Sequence, residues 1–311
     1  MELNIINLFN AMPGACAQGL IWGIMAIGVY ITYKILDLAD LTVDGTMCTG
    51  GAVCVVMILN GFPVWISLLF AFLAGVIAGL VTGLLHTAMG IPAILAGILT
   101  QLGLYSINLR IMGGKANQAL NVDKYDLLVS LRYIKGVPIS QNTILVAAVL
   151  ALLLIGILYW SFGTELGCAI RATGSNSNMS RAQGINTDRM KIFGLMLSNG
   201  IVAFASGLYA QYQGFSEINA GRGAIVIGLA AVIIGEVIFG KISPNFAFKL
   251  LSVVLGAIIY YLVLQVVLWL GLNSNDLKLL SAVVVAVFLA VPYMKGRYFS
   301  KPVKKGGGSH A

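Results

Sequence analysis

Carboxylates, thiols and imidazoles are the side chains that could carry out chemistry, and in this chain they are few and scattered. The 311 residues include only 11 acidic residues and two histidines. There is no phosphate-binding G-x-x-x-x-G-K-[ST] loop, no zinc-binding H-E-x-x-H pair and no G-x-S-x-G nucleophile string. Cys16, Cys48, Cys54 and Cys168 form no C-x-x-C pair of the kind found at metal and redox sites. We therefore expect no enzyme and no metal or cofactor bound by this chain.

The composition indicates that lipid is the solvent of this chain. Hydrophobic residues make up 59% of it and charged residues 10%, whereas soluble domains are about 25% charged. Gly75, Gly79 and Gly83 repeat every four residues, a spacing that allows close contact between transmembrane helices. The net charge of +8 comes without the basic–aromatic module of a nucleic-acid-binding domain. We expect a multi-pass membrane protein that binds no nucleic acid.

Nine apolar segments approach the length of about 20 residues that a helix needs to cross a bilayer. They lie at 17–36, 45–60, 63–85, 91–112, 142–161, 189–211, 223–240, 248–271 and 276–293. They predict an all-α, polytopic transmembrane bundle of about nine spans, in a range of about eight to ten, within one domain at 1–300. A short or re-entrant helix within 117–134 would be a tenth element. Residues 301–311 are expected to form a basic, flexible tail.

The distribution of Lys and Arg predicts the orientation, because cytoplasmic loops carry an excess of both. With the C-terminus inside, twelve of the 19 basic residues lie in or beside cytoplasmic segments and seven in or beside external ones. We therefore predict that the N-terminus is outside and the C-terminus inside. The polar connection at 162–188 is then cytoplasmic.

Three carboxylates, Asp40, Asp44 and Glu236, lie in or beside apolar spans. A charge inside the membrane costs roughly 2.5–3.5 kcal/mol on insertion scales, so such residues are functional candidates. The simpler explanation is structural: both aspartates could lie in a cytoplasmic loop, or Asp44 or Thr46 could cap the second span. Glu236 could pair with Lys241. The candidates for lining a solute path are Asp40, Thr42, Asp44, Thr46 and Glu236.

The connection at 162–188 has the features of a short surface helix between two spans. Gly174 is predicted to break the chain, and residues 175–177 offer N-cap oxygens. A helix of about two turns would end at Gly184, which suits the left-handed position that follows a helix. Asn186 or the next residue could cap the following span. On these grounds alone, an ordinary polar loop is an equally good interpretation.

This connection resembles the coupling loop of permeases of the branched-chain amino acid and ribose class of ABC importers. In that family the string G-x-A-x-R-A-x-G-x-N, followed by A-x-x-x-G-I-N, precedes a span. The matching residues are Gly167, Ala169, Arg171, Ala172, Gly174, Asn176, Gly184, Ile185 and Asn186. Residues 177–180 read Ser-Asn-Met-Ser where the family usually has Pro-Glu-Ala-Ala. Weaker matches are D-L-T-V-D-G-T at 40–46 and G-L-A-A-V-I-I-G at 228–235.

The resemblance implies a type II-like ABC importer permease for a small solute, with an aromatic or branched-chain amino acid as the first choice. It implies a location in the bacterial cytoplasmic membrane. It also implies a second permease copy or close paralogue, two cytoplasmic ATPases that bind ATP and Mg²⁺, and an extracytoplasmic substrate-binding lipoprotein. Glu217 and Arg222, in a predicted external loop, are candidates for contacting the lipoprotein. The residues implied in coupling to the ATPase are Arg171, Gly174, Ser175, Asn176, Ser177, Asn178, Met179, Ser180, Arg181, Ala182, Gln183 and Gly184.

An ion-coupled secondary transporter is the alternative from a different class. Such proteins often carry carboxylates inside the membrane, and Asp44 and Glu236 would then be coupling sites. The loop at 162–188 argues against this alternative. Uptake that persists without ATP but collapses with the ion gradient would support it.

Overall fold

The computed structural model describes residues 5–122, 124–134, 142–240 and 242–270, with seven further positions between 279 and 290. The α-helices are α1 Ile5–Tyr30, α2 Thr42–Leu59, α3 Val64–Thr87, α4 Ala93–Ile111, α5 Thr143–Gly163, α6 Glu165–Ser175, α7 Ser177–Ala182, α8 Thr187–Gln213, α9 Ala224–Phe239 and α10 Phe246–Trp269. A π-helical turn, Ile31–Ile35, continues α1, and a 3₁₀ turn covers Leu131–Ile134. Two short strands are β1 Asn117–Ala119 and β2 Phe215–Glu217.

Seven of these helices are long and apolar enough to cross a membrane, namely α1, α2, α3, α4, α5, α8 and α10. Helix α9 is apolar but has only 16 residues. These eight helices coincide with the first eight predicted spans. Of the ninth, at 276–293, the structure describes seven positions, all of them helical, and the tail at 301–311 lies entirely outside the described residues. The described chain is thus a mostly helical, multi-pass bundle.

Helices α1, α2 and α8 form the centre of the bundle. In their most apolar windows, 83%, 72% and 67% of the residues are buried, whereas the share is 33% in α3 and 28% in both α4 and α5. The outer helices therefore present apolar side chains to their surroundings, as lipid-facing helices do. The predicted close packing of α3 is confirmed, since a Cβ added at Gly75 or Gly79 would overlap the backbone of α8.

In its described residues, the stretch at 117–134 forms no helix longer than the four-residue 3₁₀ turn at Leu131–Ile134. It contributes β1, which pairs antiparallel with β2 so that Asn117 lies opposite Glu217, and then the 3₁₀ turn. Pairing with β2 satisfies backbone N–H and C=O groups of β1, as buried backbone groups require. This small sheet is the one departure from the predicted all-α architecture among the described residues.

Side-chain and backbone contacts define two ends of the bundle. At one, called the strand end, β1–β2 joins the chain after α4 to the chain after α8, and the Tyr125 hydroxyl reaches Leu59 O at the end of α2 at 3.5 Å. At the other, called the α7 end, α6 packs against the end of the π-helical turn. The candidate coupling segment and the strand pair therefore lie at opposite ends.

Candidate functional site

Helix α7, Ser177–Ala182, is a separate element with its own start and stop. The Asn176 side chain accepts a hydrogen bond from Met179 N at 3.0 Å, which caps α7. The Asn186 side chain does the same for Arg189 N at 3.1 Å and caps α8. Amide oxygens at this position satisfy N–H groups that have no partner within the helix. The predicted short helix between two spans is confirmed.

Gly184 ends α7 in the left-handed conformation that the sequence predicted. Its φ is +82°, and its N–H donates to Arg181 O at 3.0 Å. The following N–H, of Ile185, donates to Ser180 O at 3.0 Å. An added Cβ would meet nothing within 4 Å. Backbone conformation, and not lack of space, is therefore what favours glycine here.

Gly174 does not break the chain, contrary to the prediction. It lies inside α6, one residue before the end of that helix at Ser175. A Cβ at this position would overlap the carbonyl group of Ile35, at the end of the π-helical turn. The glycine therefore permits close contact between α6 and the end of α1. A packing requirement explains this residue, where the sequence suggested a turn.

Both arginines of the connection make contacts within the chain. Arg181 places Nη2 2.8 Å from Asp188 Oδ1 and donates from Nε to the Thr187 hydroxyl at 2.7 Å. These two contacts fix the last turn of α7 to the first turn of α8. The Arg171 guanidinium lies 5.8 Å from the centre of the Phe246 ring, a cation–π contact with the start of α10.

The outward side of α7 is accessible. Met179 is 62% exposed, and Asn178 beside it is exposed as well. Ser180 faces inward, where its hydroxyl donates to Asn176 O at 2.9 Å. An apolar side chain thus projects from a small helix that is fixed to α8, at the α7 end of the bundle.

Asp40, on the connection between α1 and α2, lies in a buried polar network. Its Oδ1 accepts from Thr42 N at 2.9 Å, and its Oδ2 accepts from the Asn199 amide at 2.7 Å. The Asn199 oxygen accepts from the Thr46 hydroxyl at 2.7 Å. Burial raises the pKa of the Asp40 carboxyl, and the hydrogen bonds from Thr42 and Asn199 act in the opposite direction. The network joins the start of α2 to the middle of α8.

A second part of the network connects α2 with α3 and α4. The hydroxyl oxygens of Thr42 and Thr82 are 2.7 Å apart, and Thr82 donates to Thr100 at 2.9 Å. All three side chains are buried. Each of these three hydroxyls has a partner, so the start of α2 is fixed to three other helices.

Asp44 caps a different helix from the one that the sequence suggested. Its two carboxylate oxygens accept from Gly223 N and Ile225 N, both at 3.0 Å, at the start of α9. A negative charge is favourable at a helix N-terminus. The carboxylate therefore sits in the first turn of α2 but stabilises the start of α9.

The chain between α8 and α9, residues 214–223, runs back along α2 into the bundle. The Cys48 thiol donates to Ile218 O at 3.1 Å, and Gly221 lies against the backbone of Asp44. Helix α9 consequently starts beside the first turns of α2. Non-helical backbone at membrane depth is tolerated only where protein buries it or where it lines a cavity.

A cavity of about 270 Å³ lies beside this segment, between α2 and α4. Its lining residues are Asp44, Gly45, Cys48, Gln101, Leu102, Tyr105, Asn108, Ile218 and Arg222. The amide oxygen of Asn108 is buried there without a hydrogen-bond partner in the described part of the chain. The cavity, which we call the Asp44 cavity, thus combines a carboxylate, a guanidinium and an unsatisfied amide.

The structure separates the other candidates for a solute path from this cavity. Asp40, Thr42 and Thr46 belong to the buried network described above. Glu236 pairs with Lys34, at 2.8 Å between Oε1 and Nζ, at the α7 end. The predicted partner, Lys241, lies outside the described residues.

The sequence is matched by a known family. The model of the branched-chain amino acid transport system permease component matches residues 12–292. The chain belongs to this family of ABC transporter permeases. A tyrosine transport system permease protein of Clostridioides difficile (strain R20291) is 40% identical to this permease over 273 residues, 88% of each chain. An autoinducer 2 import system permease protein, LsrC, of Yersinia pseudotuberculosis serotype O:1b (strain IP 31758) is 35% identical over 60% of this chain and 51% of that protein.

A solved structure shares the fold of the permease. PsaBC from Streptococcus pneumoniae in complex with Fab aligns with a TM-score of 0.54 and 16% identity, over 95% of this chain and 99% of that one. Family membership makes this chain a multi-pass transport subunit and not an enzyme, located in bacteria in the cell membrane. It also implies an ATPase partner and a substrate-binding partner.

Some residues of the permease that form the network and the cavity were not singled out from the sequence. Asn199 is the central residue of the buried network, and Tyr105, Asn108 and Gln101 line the Asp44 cavity. The available signal was a polar amide inside an otherwise apolar span. Burying such a group costs free energy unless it forms hydrogen bonds, so its presence indicates a partner or a functional role. Periodicity alone does not show which amides face each other.

Proposed function

We propose that this permease is the membrane subunit of an ATP-driven importer for an amino acid, with aromatic amino acids preferred to branched-chain ones. The observation that carries the cargo assignment is the 40% identity to a tyrosine transport permease over 88% of both chains. One transmembrane domain at 1–300 serves this function, with the N-terminus outside and the C-terminus inside. The α7 end then faces the cytoplasm.

Helix α7 is the part of the permease that receives force from the ATPase. It is capped at both ends, exposes Met179, and is fixed to α8 through the Arg181–Asp188 pair. Movement of α7 therefore moves the long central helix α8. Contact between Gly174 and Ile35 extends that movement to the end of α1. Closure of the ATPases can thus shift packed helices as rigid bodies.

The Asp44 cavity is the proposed cargo site. A free amino acid carries an ammonium group and a carboxylate, which complement the carboxylate of Asp44 and the guanidinium of Arg222. Each Asp44 oxygen accepts one backbone N–H and retains another lone pair. Ligand pockets for drug-sized molecules are about 300–1,000 Å³, so a cavity of about 270 Å³, just below that range, suits a smaller solute.

A second copy of the permease, or a close paralogue, completes this site. Tyr105 and Arg222 on the cavity wall are exposed at the surface of the single chain. Lipid is a poor neighbour for a guanidinium at membrane depth. A partner subunit across this face would exclude lipid and leave a polar path between the two copies.

Reconstitution tests the proposal. We expect purified permease, its cognate ATPase and its binding lipoprotein in proteoliposomes to accumulate radiolabelled tyrosine only with ATP. An ionophore that dissipates ion gradients should leave uptake unchanged. Leucine and ribose serve as the competing cargoes.

Two outcomes would contradict the proposal in different ways. Uptake driven by an ion gradient without ATP would contradict the importer assignment and support an ion-coupled secondary transporter. ATP-driven uptake of ribose without competition by tyrosine or leucine would support the importer assignment and contradict the assignment of an amino acid as the cargo.

A further inference from the structure

A basic cleft lies at the α7 end, between the end of α1, α6 and the start of α10. Its volume is about 390 Å³. Three cationic side chains line it, those of Lys34, Arg171 and Lys249. Lys34 is paired with Glu236. Among the described residues, no carboxylate lies within salt-bridge distance of Arg171 or Lys249, so the cleft has an excess of positive charge.

The start of α10 adds to this positive charge. The helix begins at Phe246, after the N-cap Asn245, and has no acidic residue in its first turn. Lys249 follows at the end of that turn. A cation near a helix N-terminus is disfavoured by the helix dipole, whereas an anion there is stabilised by the dipole and by free N–H groups. A bound anion would therefore stabilise the positive charges around this cleft.

An aromatic groove adjoins the basic cleft. Its volume is about 460 Å³, and it shares Arg171 and Phe246 with the cleft. Tyr159 and Trp160, on the last turn of α5, line the groove and are 51% and 75% exposed. Tyrosine and tryptophan concentrate at the level of lipid headgroups. The groove therefore lies where the glycerol and acyl chains of a lipid would meet the protein.

We infer that the permease binds one anionic phospholipid here, with the headgroup phosphate in the basic cleft and the chains along the aromatic groove. Basic pockets between transmembrane helices on the cytoplasmic side suit anionic headgroups. The groove favours a lipid as the source of the phosphate, since a free phosphate ion would use the cleft alone. The headgroup would lie against Gly174 and Ser175, immediately before α7, and would connect α6 with α10.

The inference is tested on the full-length permease purified in a neutral detergent. Native mass spectrometry measures the retention of added phosphatidylglycerol and, separately, of phosphatidylcholine. We expect phosphatidylglycerol to be retained more strongly. R171Q and K249Q should each weaken its binding about fivefold, and the double variant about twenty-five-fold, as expected for about 1 kcal/mol per cation near a membrane surface.

Control variants distinguish binding in this cleft from non-specific attraction of the lipid to positive charge at the α7 end. Arg189→Gln removes an exposed arginine at the same end of the molecule, and Arg171→Lys keeps the charge at the cleft; both should bind within about twofold of the wild type. Lys249 is exposed, so K249Q carries the test if R171Q fails to fold. Equal retention of both lipids, or equal loss in R189Q and K249Q, would overturn the inference. Stabilisation by inorganic phosphate without retention of phosphatidylglycerol would overturn it too.

Discussion

At the scale of single residues, Asn199 holds the buried network together. It donates to Asp40 and accepts from Thr46. We predict that Asn199→Ala lowers the free energy of unfolding by about 1–3 kcal/mol, because Asp40 Oδ2 loses its donor and the Thr46 hydroxyl loses one of two acceptors. The measurement is thermal unfolding of the purified permease in detergent. Ser198→Ala, which removes one bond to Gly28 O, is the neighbouring control and should cost less. An equal loss in both variants would contradict the role of Asn199.

Asp44 lies in the first turn of α2, caps the start of α9 and lines the Asp44 cavity. We predict that Asp44→Asn reduces uptake about tenfold or more, since it removes a charge and one of two capping acceptors, a loss of about 1.5–3 kcal/mol. Glu217→Gln, an exposed change on β2, should reduce uptake less than twofold. Tyrosine uptake in proteoliposomes measures both. Equal and negligible effects would remove Asp44 from the cargo path.

Asp40, Asp44 and Glu236 could be chosen from the sequence because they are carboxylates in or beside apolar spans. Their hydrogen-bond and ion-pair partners could not be predicted from the sequence. Asn199 is 159 positions away from Asp40, and Lys34 is 202 positions away from Glu236. Local spacing favoured Lys241 as the partner of Glu236. Contacts at such separations depend on which helices pack together, which hydropathy does not specify.

At the scale of elements, Gly184 determines how α7 ends. A β-branched residue is strained at a φ of +82°. We predict that Gly184→Val leaves ATP hydrolysis by the assembled complex within about twofold but lowers transported solute per ATP about fivefold or more, since left-handed strain of about 1–2 kcal/mol per residue shifts α7. Gly184→Asn is the matched control, because asparagine tolerates this conformation. Normal stoichiometry in the valine variant would contradict the coupling role of α7.

The helices themselves were the easiest feature to predict, and their irregular ends were the hardest. Apolar length was sufficient for the first eight spans, and cap chemistry was sufficient for Asn176, Gly184 and Asn186. Cap chemistry was insufficient at Gly174, where the glycine permits close packing against Ile35. The return of residues 214–223 along α2 was also missed, because a short polar segment looks the same whether it lies in water or beside a cavity.

At the scale of the whole molecule, the two ends carry different structural features. The strand end carries β1–β2 and leads to the Asp44 cavity through the segment before α9. The α7 end carries the capped helix, the basic cleft and the Lys34–Glu236 pair. Helix α8 runs between these ends and contacts the buried network on its way. Movement applied to α7 can therefore reach Asn199 through one continuous helix.

The most direct test of this account is photo-crosslinking within the reconstituted complex of permease, ATPase and binding lipoprotein. A photoreactive residue replaces Met179 on α7 in one variant and Leu131 at the strand end in the other; both side chains are well exposed. Position 179 should crosslink to the ATPase, more strongly in one nucleotide state than in the other, and position 131 should not. An active complex in which position 179 crosslinks to the lipoprotein, or to no subunit, would contradict the account.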